Sequence, residues 1–244
     1  MTRAPLAVLA LAALALPAAV LAQQPEGVTG VVEPELGRSF VVERVSGRVM
    51  VKPRGARAFL VLSGPRSLRV GSVVKATDGR VRLTVARNDS GATSRAVFSA
   101  GQFTVTEQTR ERTTLQLGGP SYKDVCARGT RASASASKRR VRRLWGDGKG
   151  RFRTKGRYSA ATVRGTKWLT EDRCDGTLTR VERGVVDVED FSAPVQAPAP
   201  QPAPVIGGGD EGGGPPPPAG APAPSRPRTV RVGSGDDYVA GPGG

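Results

Sequence analysis

The chain has 244 residues, enough for one domain of ordinary size with extensions, and its 37 Lys and Arg against 21 Asp and Glu leave a net charge of +16. It contains no histidine, which removes the commonest general base, the usual proton shuttle and the commonest metal ligand together. Hydrophobic residues make up 38% and aromatics 5%, so a core here rests mainly on Val, Leu and Ala.

Met1 to Ala22 reads as a secretory signal: Arg3 gives the charged end, an Ala/Leu run follows, and Val20-Leu21-Ala22 precedes Gln23 with small residues where signal peptidase needs them. Left uncleaved, Ala4 to Ala22 would be just long enough to span a bilayer. No cysteine follows the apolar run, which argues against a lipid anchor, and no later stretch is apolar enough to cross. The expected location is therefore extracytoplasmic, secreted or associated with the cell envelope.

From Phe40 the sequence reads as short strands separated by turns. Phe40 to Val45, a Ser46-Gly47 turn, Gly47 to Val51, Ala58 to Leu62 and Leu68 to Val74 come first. Arg80 to Val85 is the cleanest, with Val81, Leu83 and Val85 alternating with Arg80, Arg82 and Thr84, one buried face and one wet face. Ala96 to Phe98, Gln102 to Thr106 and Thr113 to Leu117 follow. Tyr122 to Ser137 is irregular and reads as a loop, and no stretch after Ala22 sustains a helical period.

In the second half, Gly146-Asp147-Gly148-Lys149-Gly150 is expected to turn the chain back. It lacks the Gly-Lys-Ser/Thr ending and the following helix of a phosphate loop. Gly165 sits inside a β-branched run, which predicts a bulge or a close backbone approach. Val181 and Val186, flanking Glu182-Arg183-Gly184-Val185, predict a hairpin. The architecture expected is all-β: two packed antiparallel sheets or a short β-solenoid, with a valine-built core.

Several of these segments resemble the FecR-like domain, named for the ferric citrate regulator, a periplasmic sensor. The resemblance lies in Gly47-Arg48-Val49, Val70 to Thr77, Gly79 to Thr84, Ala161-Thr162-Val163-Arg164-Gly165-Thr166, Trp168, and Thr177 to Val188. Arg143 to Thr154 is similar to a secreted branch of that family found in actinobacteria. The match spans about Phe40 to Phe191 and implies a β domain over residues 40–191 that is extracytoplasmic and non-catalytic, without a cofactor. The family's best-known members relay a signal to a cytoplasmic portion, and that relay is not expected here.

After Phe191 the composition changes. Of the 34 residues from Pro194 to Pro227, twelve are Pro and seven are Gly, so residues 192–227 are expected to form a flexible segment. Thr229-Val230-Arg231-Val232-Gly233 and Tyr238-Val239-Ala240 resemble the family's last strand. Residues 228–240 then either dock back on the β domain, making the Pro/Gly stretch an inserted loop, or belong to a disordered tail. Docking is affordable because closure costs only about 0.6 kcal/mol per doubling of loop length.

Cys126 and Cys174 are the only cysteines, and in an exported chain such a pair is expected to form a disulfide worth roughly 3–4 kcal/mol. A redox or metal role lacks both CxxC and His.

The feature that bears on binding is a basic band. Between Arg128 and Arg157 there are twelve Lys and Arg and one acid, Asp147, so +11 of the +16 lies in 30 residues. Arg139, Arg140, Arg142, Arg143, Arg151, Arg153, Lys155 and Arg157 are the candidate anion-binding residues, the last four sharing a face if the strand runs that far. The alternative is that the charges only solvate strand faces and protect edges. Trp145 and Trp168 are stacking platforms or core. Glu107, Glu111, Glu171, Asp172, Asp175, Asp187 and Asp190 scatter without a pairing pattern for hydrolysis. The function expected is an extracytoplasmic interaction or sensory module that binds a protein or envelope component. The alternative is a cationic protein binding an anionic envelope polymer, with nucleic acid less accessible.

Overall fold

The computed structural model describes residues 32–126, 138–194 and 227–241, and its strands pair into a single 12-stranded sheet. In chain order they are β1 (Ser39–Lys52), β2 (Leu60–Val61), β3 (Arg66–Arg69), β4 (Val73–Ala86), β5 (Thr93–Gln108) and β6 (Thr113–Gly118). After the short helix α1 (Tyr122–Cys126) come β7 (Arg140–Lys155), β8 (Ser159–Arg173), β9 (Gly176–Arg183), β10 (Val186–Pro194), β11 (Pro227–Val232) and β12 (Asp237–Ala240). The fold is all-β as the sequence implies, and the sheet is mixed: β6 and β7 pair in parallel, Thr113–Gln116 against Phe152–Lys155. The leader falls outside the described residues, as does the Pro/Gly segment between 194 and 227.

The long strands bend midway and exchange neighbours there. β5 lies against β7 through Arg95–Ser99 and against β6 through Gln102–Gln108. β8 pairs with β10 through Ser159–Val163 and with β9 through Lys167–Arg173. The bend also reverses which residues face inward. In β5 Ala96 and Phe98 are buried, then Phe103 and Val105, so inward positions change from even to odd. The reversal falls at Ala100, held at φ +59, because an extra residue in a strand turns every later side chain to the other face. β8 changes from Ala161 and Val163 to Thr166 and Trp168 across Gly165, at φ +69. A Cβ on Gly165 would meet nothing within 4 Å, so this glycine serves a bulge and not a close approach.

Bending lets both halves of the sheet close over one core. Phe98 sits at its centre, with ring centroids 5.3 Å from Phe103, 5.7 Å from Phe152 and 5.9 Å from Trp168. All four are fully buried, each contributing roughly 1.5–3 kcal/mol or more of apolar burial. Trp168 is thus core, and its indole Nε1 donates to Thr154 Oγ1 at 3.0 Å. The Thr154 and Thr170 hydroxyls share a further hydrogen bond, so these three buried side chains satisfy one another. The alternation expected for Arg80 to Val85 is present: Val81, Leu83 and Val85 face the core.

Several expected turns are absent. The Ser46-Gly47 turn is a bend inside β1, which pairs with β4 on both sides of it. Gly146 to Gly150 does not reverse the chain, because β7 runs through it with only a register shift between Gly148 and Arg151. Its glycines serve packing: a Cβ on Gly146 would lie 2.4 Å from the Trp168 ring, and one on Gly148 2.4 Å from the Ala96 Cβ. Val181 and Val186 do not flank a hairpin either. β9 and β10 both pair with β8, on either side of its bulge, so Gly184 at φ +89 turns a corner that matches Gly165. The expected strand Leu68 to Val74 is divided between β3 and β4 by a turn with Gly71 at φ +96, Ala58 to Leu62 shortens to Leu60–Val61, and Tyr122 opens a short helix.

The C-terminal strands follow the same bent path. β11 pairs antiparallel with β10, Val232 opposite Val186, and β12 pairs with β9, Ala240 opposite Thr177. Val232 and Ala240 are buried, Arg180 binds Asp237 through two hydrogen bonds, and Tyr238 Oη donates to Asp190 at 2.6 Å. A disulfide joins Cys126 at the end of α1 to Cys174 in the turn between β8 and β9, with Cα atoms 5.5 Å apart.

Candidate functional site

The candidate basic residues do not form one free row. A register shift between Arg140 and Arg142 places both Val141 and Leu144 inward, so simple alternation fails at the start of β7. Arg139 Nη1 donates to the Val125 carbonyl at 2.7 Å, bracing α1, and Arg140 is exposed. Arg142 Nε donates to Asp172 at 2.6 Å, while Arg143 lies opposite Glu171 in the ladder. Asp172 is fully buried and also accepts from Thr177 Oγ1 and the Arg157 backbone N–H. The Arg142 and Arg157 guanidinium carbons stand 5.4 and 4.4 Å from the centroid of the Tyr122 ring. Burial, then the Asp172 charge, pushes the Tyr122 hydroxyl well above the ordinary tyrosine range. This cluster is structural: a desolvated charge matched by its own carboxylate.

Further along β7, Arg151, Arg153 and Lys155 share the outer face, with Phe152 and Thr154 buried between them. Arg153 is bound to Glu189, and Lys155 lies over the Phe191 ring at 5.6 Å. Arg157 falls beyond the strand end. Arg151 alone of these has neither carboxylate nor ring. Its direct cross-strand partner on β8 is Arg164, another cation without an ion pair among the described residues.

A second pair of the same kind lies across β5 and β7, where Arg95 is opposite Lys149. Like charges directly opposite one another destabilise a sheet by roughly 0.2–1 kcal/mol unless something intervenes. The two pairs belong to one track. Arg95 and Lys149 line an open groove of about 540 Å³ with Arg87, Thr93, Ser94 and Gly150. Arg87 and Ser94 also line the next groove, with Arg110, Arg112 and Arg151. Arg112 and Arg151 continue into a third, of about 510 Å³, with Thr162, Arg164, Asp187 and Arg231. Arg110, Arg112 and Arg231 have carboxylates of their own in Asp89, Glu107 and Asp187. The Thr114 hydroxyl, and then Arg112, hold the Glu107 carboxyl below the usual range. Arg87, Arg95, Lys149, Arg151 and Arg164 make no ion pair with any described residue, and Glu111 is the unpaired acid beside them.

Of this set, the basic band in the sequence contains Lys149 and Arg151. Arg95 and Arg164 lie on other strands and Arg87 in the connection between β4 and β5, so the fold brings them to the site. The sequence signal for Arg164 was its position beside Gly165, at a corner. Most of the candidate carboxylates, by contrast, are engaged: Asp175 with Arg173, Asp187 with Arg231, Asp172 with Arg142, Glu107 with Thr114 and Arg112, and Asp190 with Tyr238 and Ser192. Trp145 is half-buried on the outer face, in a groove with Arg80, Ser99, Asp147, Lys167 and Glu182.

No helix among the described residues is long and apolar enough to cross a membrane. No protein-family model, curated protein or solved structure matches this chain.

Proposed function

We propose that this chain is an exported, non-catalytic binding module that holds an anionic polymer along the track running from Arg87 and Arg95 through Lys149 and Arg151 to Arg164. The observation that carries this reading is the two like-charged cross-strand pairs, Arg95 opposite Lys149 and Arg151 opposite Arg164, none of the four in an ion pair with a described residue. A bound polyanion removes their repulsion and gains charge-assisted hydrogen bonds, with Ser94 and Thr162 as neutral donors beside them. The grooves at its two ends are open, and Arg87, Ser94, Arg112 and Arg151 line the narrow stretch between them, an arrangement that suits an extended ligand. Export agrees with the Cys126–Cys174 bridge, since such bonds persist in oxidising compartments. A binding role without catalysis agrees with carboxylates that are for the most part tied to cations and hydroxyls.

A sensory role of FecR-like type, with a protein partner, is the second reading. The observation in its favour is that the resembling motifs contain the corner glycines Gly47, Gly165 and Gly184, all at positive φ. Those residues set the bends of the sheet and speak to its fold; the ligand is specified elsewhere.

Retention on anionic envelope material tests the first reading. The chain binds at low salt and elutes at high salt, and replacing Arg87, Arg95, Lys149, Arg151 and Arg164 by Ser abolishes retention. Retention that survives all five changes contradicts it. A protein partner that stays bound at high salt supports the second reading.

A further inference from the structure

Resting on the polyanion reading, we infer that the ligand is an anionic polysaccharide whose uncharged sugar ring stacks on Trp145 while its anionic group sits between Arg95 and Lys149. The two places lie on one strand pair and one face. In the β5–β7 ladder Ser99 is opposite Trp145, Val97 opposite Asp147 and Arg95 opposite Lys149, all on the outer side, while Ala96, Phe98 and Gly146 face inward. Four residues of extended chain separate Trp145 from Lys149, about 13 Å at the strand rise of ~3.3 Å. That distance spans a short stretch of glycan.

The chemistry changes along the ladder. At the Arg95 end the groove holds Arg87, Arg95 and Lys149 and no acid. At the Trp145 end, in a groove of about 400 Å³, the indole is flanked by the carboxylates of Asp147 and Glu182. Arg183 donates to Asp147 at 2.8 Å, and Lys167 is bound to Glu182. Each carboxylate keeps lone pairs for further donors. Both carboxylates are already paired, Lys167 Nζ stands 5.7 Å from the Trp145 ring centroid, and Arg80 lies in the same groove, so this end carries little net charge; a ring bearing hydroxyls can donate to Asp147 and Glu182 and accept from Arg80 and Ser99. The C–H face of such a ring packs on an indole, which offers an apolar body beside polar neighbours. A ligand without a ring has nothing to stack on the indole and uses the Arg95 end of the ladder, whereas a sugar polymer with spaced anionic groups uses both. The chain also commits its other tryptophan, Trp168, to the core, whereas Trp145 remains at the surface.

Titrations with a sparsely substituted dextran sulfate, in which uncharged rings lie between sulfated ones, and with linear polyphosphate of matched charge separate this inference from the reading beneath it. Trp145→Ala is expected to weaken dextran sulfate binding about tenfold and leave polyphosphate binding within about twofold, with Trp145→Phe recovering most of the loss. Arg95→Ser with Lys149→Ser weakens both. The near-ultraviolet signal of buried Trp168 reports whether each variant keeps its fold. If folded Trp145→Ala binds dextran sulfate as the parent does, or loses both ligands equally, the glycan assignment is wrong and the polyanion reading stands. If the parent binds neither polymer, or Arg95→Ser with Lys149→Ser binds both unchanged, the polyanion reading itself falls. A Trp145→Ala chain that does not fold hands the decision to Trp145→Leu, for which the same outcomes apply.

Discussion

Arg151 on β7 and Arg164 on β8 are direct cross-strand partners, and neither forms an ion pair with a described residue, although Glu111 and Asp187 line the same groove. Their repulsion is a cost that the free protein carries. Removing one charge should therefore not destabilise the fold: Arg164→Ser is expected to leave stability unchanged or raise it by about 0.2–1 kcal/mol, while polyanion affinity falls. Chemical denaturation beside a binding titration checks both halves. A clear loss of stability would mean that Arg164 serves the fold.

Gly146 of β7 and Gly165 of β8 make a different prediction. Gly146 has no room for a Cβ, which would lie 2.4 Å from the Trp168 ring, whereas Gly165 has room but sits at φ +69. Gly146→Ala should cost about 1–3 kcal/mol through overpacking and perturb the near-ultraviolet spectrum of Trp168. Gly165→Ala should cost about 1–2 kcal/mol through backbone strain and leave that spectrum alone. Equal spectral changes in the two variants would contradict this assignment.

Asp172 anchors the base of the disulfide region. It is fully buried, binds Arg142 and accepts from Thr177 and the Arg157 backbone. Asp172→Ala leaves Arg142 without its carboxylate and should cost about 3–5 kcal/mol. Arg142→Ser uncovers a buried carboxylate and should also destabilise, unlike Arg140→Ser at the exposed start of the strand. Thermal unfolding of the three variants provides the comparison.

Docking of the C-terminal strands should depend on alkaline pH. Burial, and then its hydrogen bond to Asp190, pushes the Tyr238 hydroxyl up from 10.0 to about 12. A group whose folded value is raised favours the folded state fully while it is protonated in both states. Its contribution is thus complete below pH 10.0 and declines as pH rises toward about 12. Proteolysis after the β domain should release residues 227–241 more readily across that window, and Tyr238→Phe should flatten the dependence. Release that ignores pH between 9 and 12 would show that the hydroxyl does not hold β11 and β12.

What the sequence made legible follows from how local each signal is. Val81, Leu83 and Val85 alternate within one straight piece of strand, so their inward face could be read directly. The Val181 to Val186 connection has the same local features whether it closes a hairpin or turns a corner; only the pairing of both flanks with β8 distinguishes them. Gly146 and Gly148 look like turn residues because a missing side chain serves a turn and a close ring contact alike, and the ring is on another strand. The basic band was visible as a count, but Asp172 and Glu189 neutralise Arg142 and Arg153 from other strands. Arg87, Arg95 and Arg164 join the site only through the fold, which periodicity does not encode.

The most direct test of the binding account compares two charge-matched variants. One replaces Arg87, Arg95, Arg151 and Arg164 by Ser; the other replaces Arg139, Arg140, Arg142 and Arg143 by Ser, so both lose the same net charge. Titrated with dextran sulfate at several salt concentrations, the first should lose most of its affinity and much of its salt dependence, while the second, so far as it remains folded, should resemble the parent. Equal losses in the two would mean that net charge alone draws the polymer and that the track across the sheet corner is not a site.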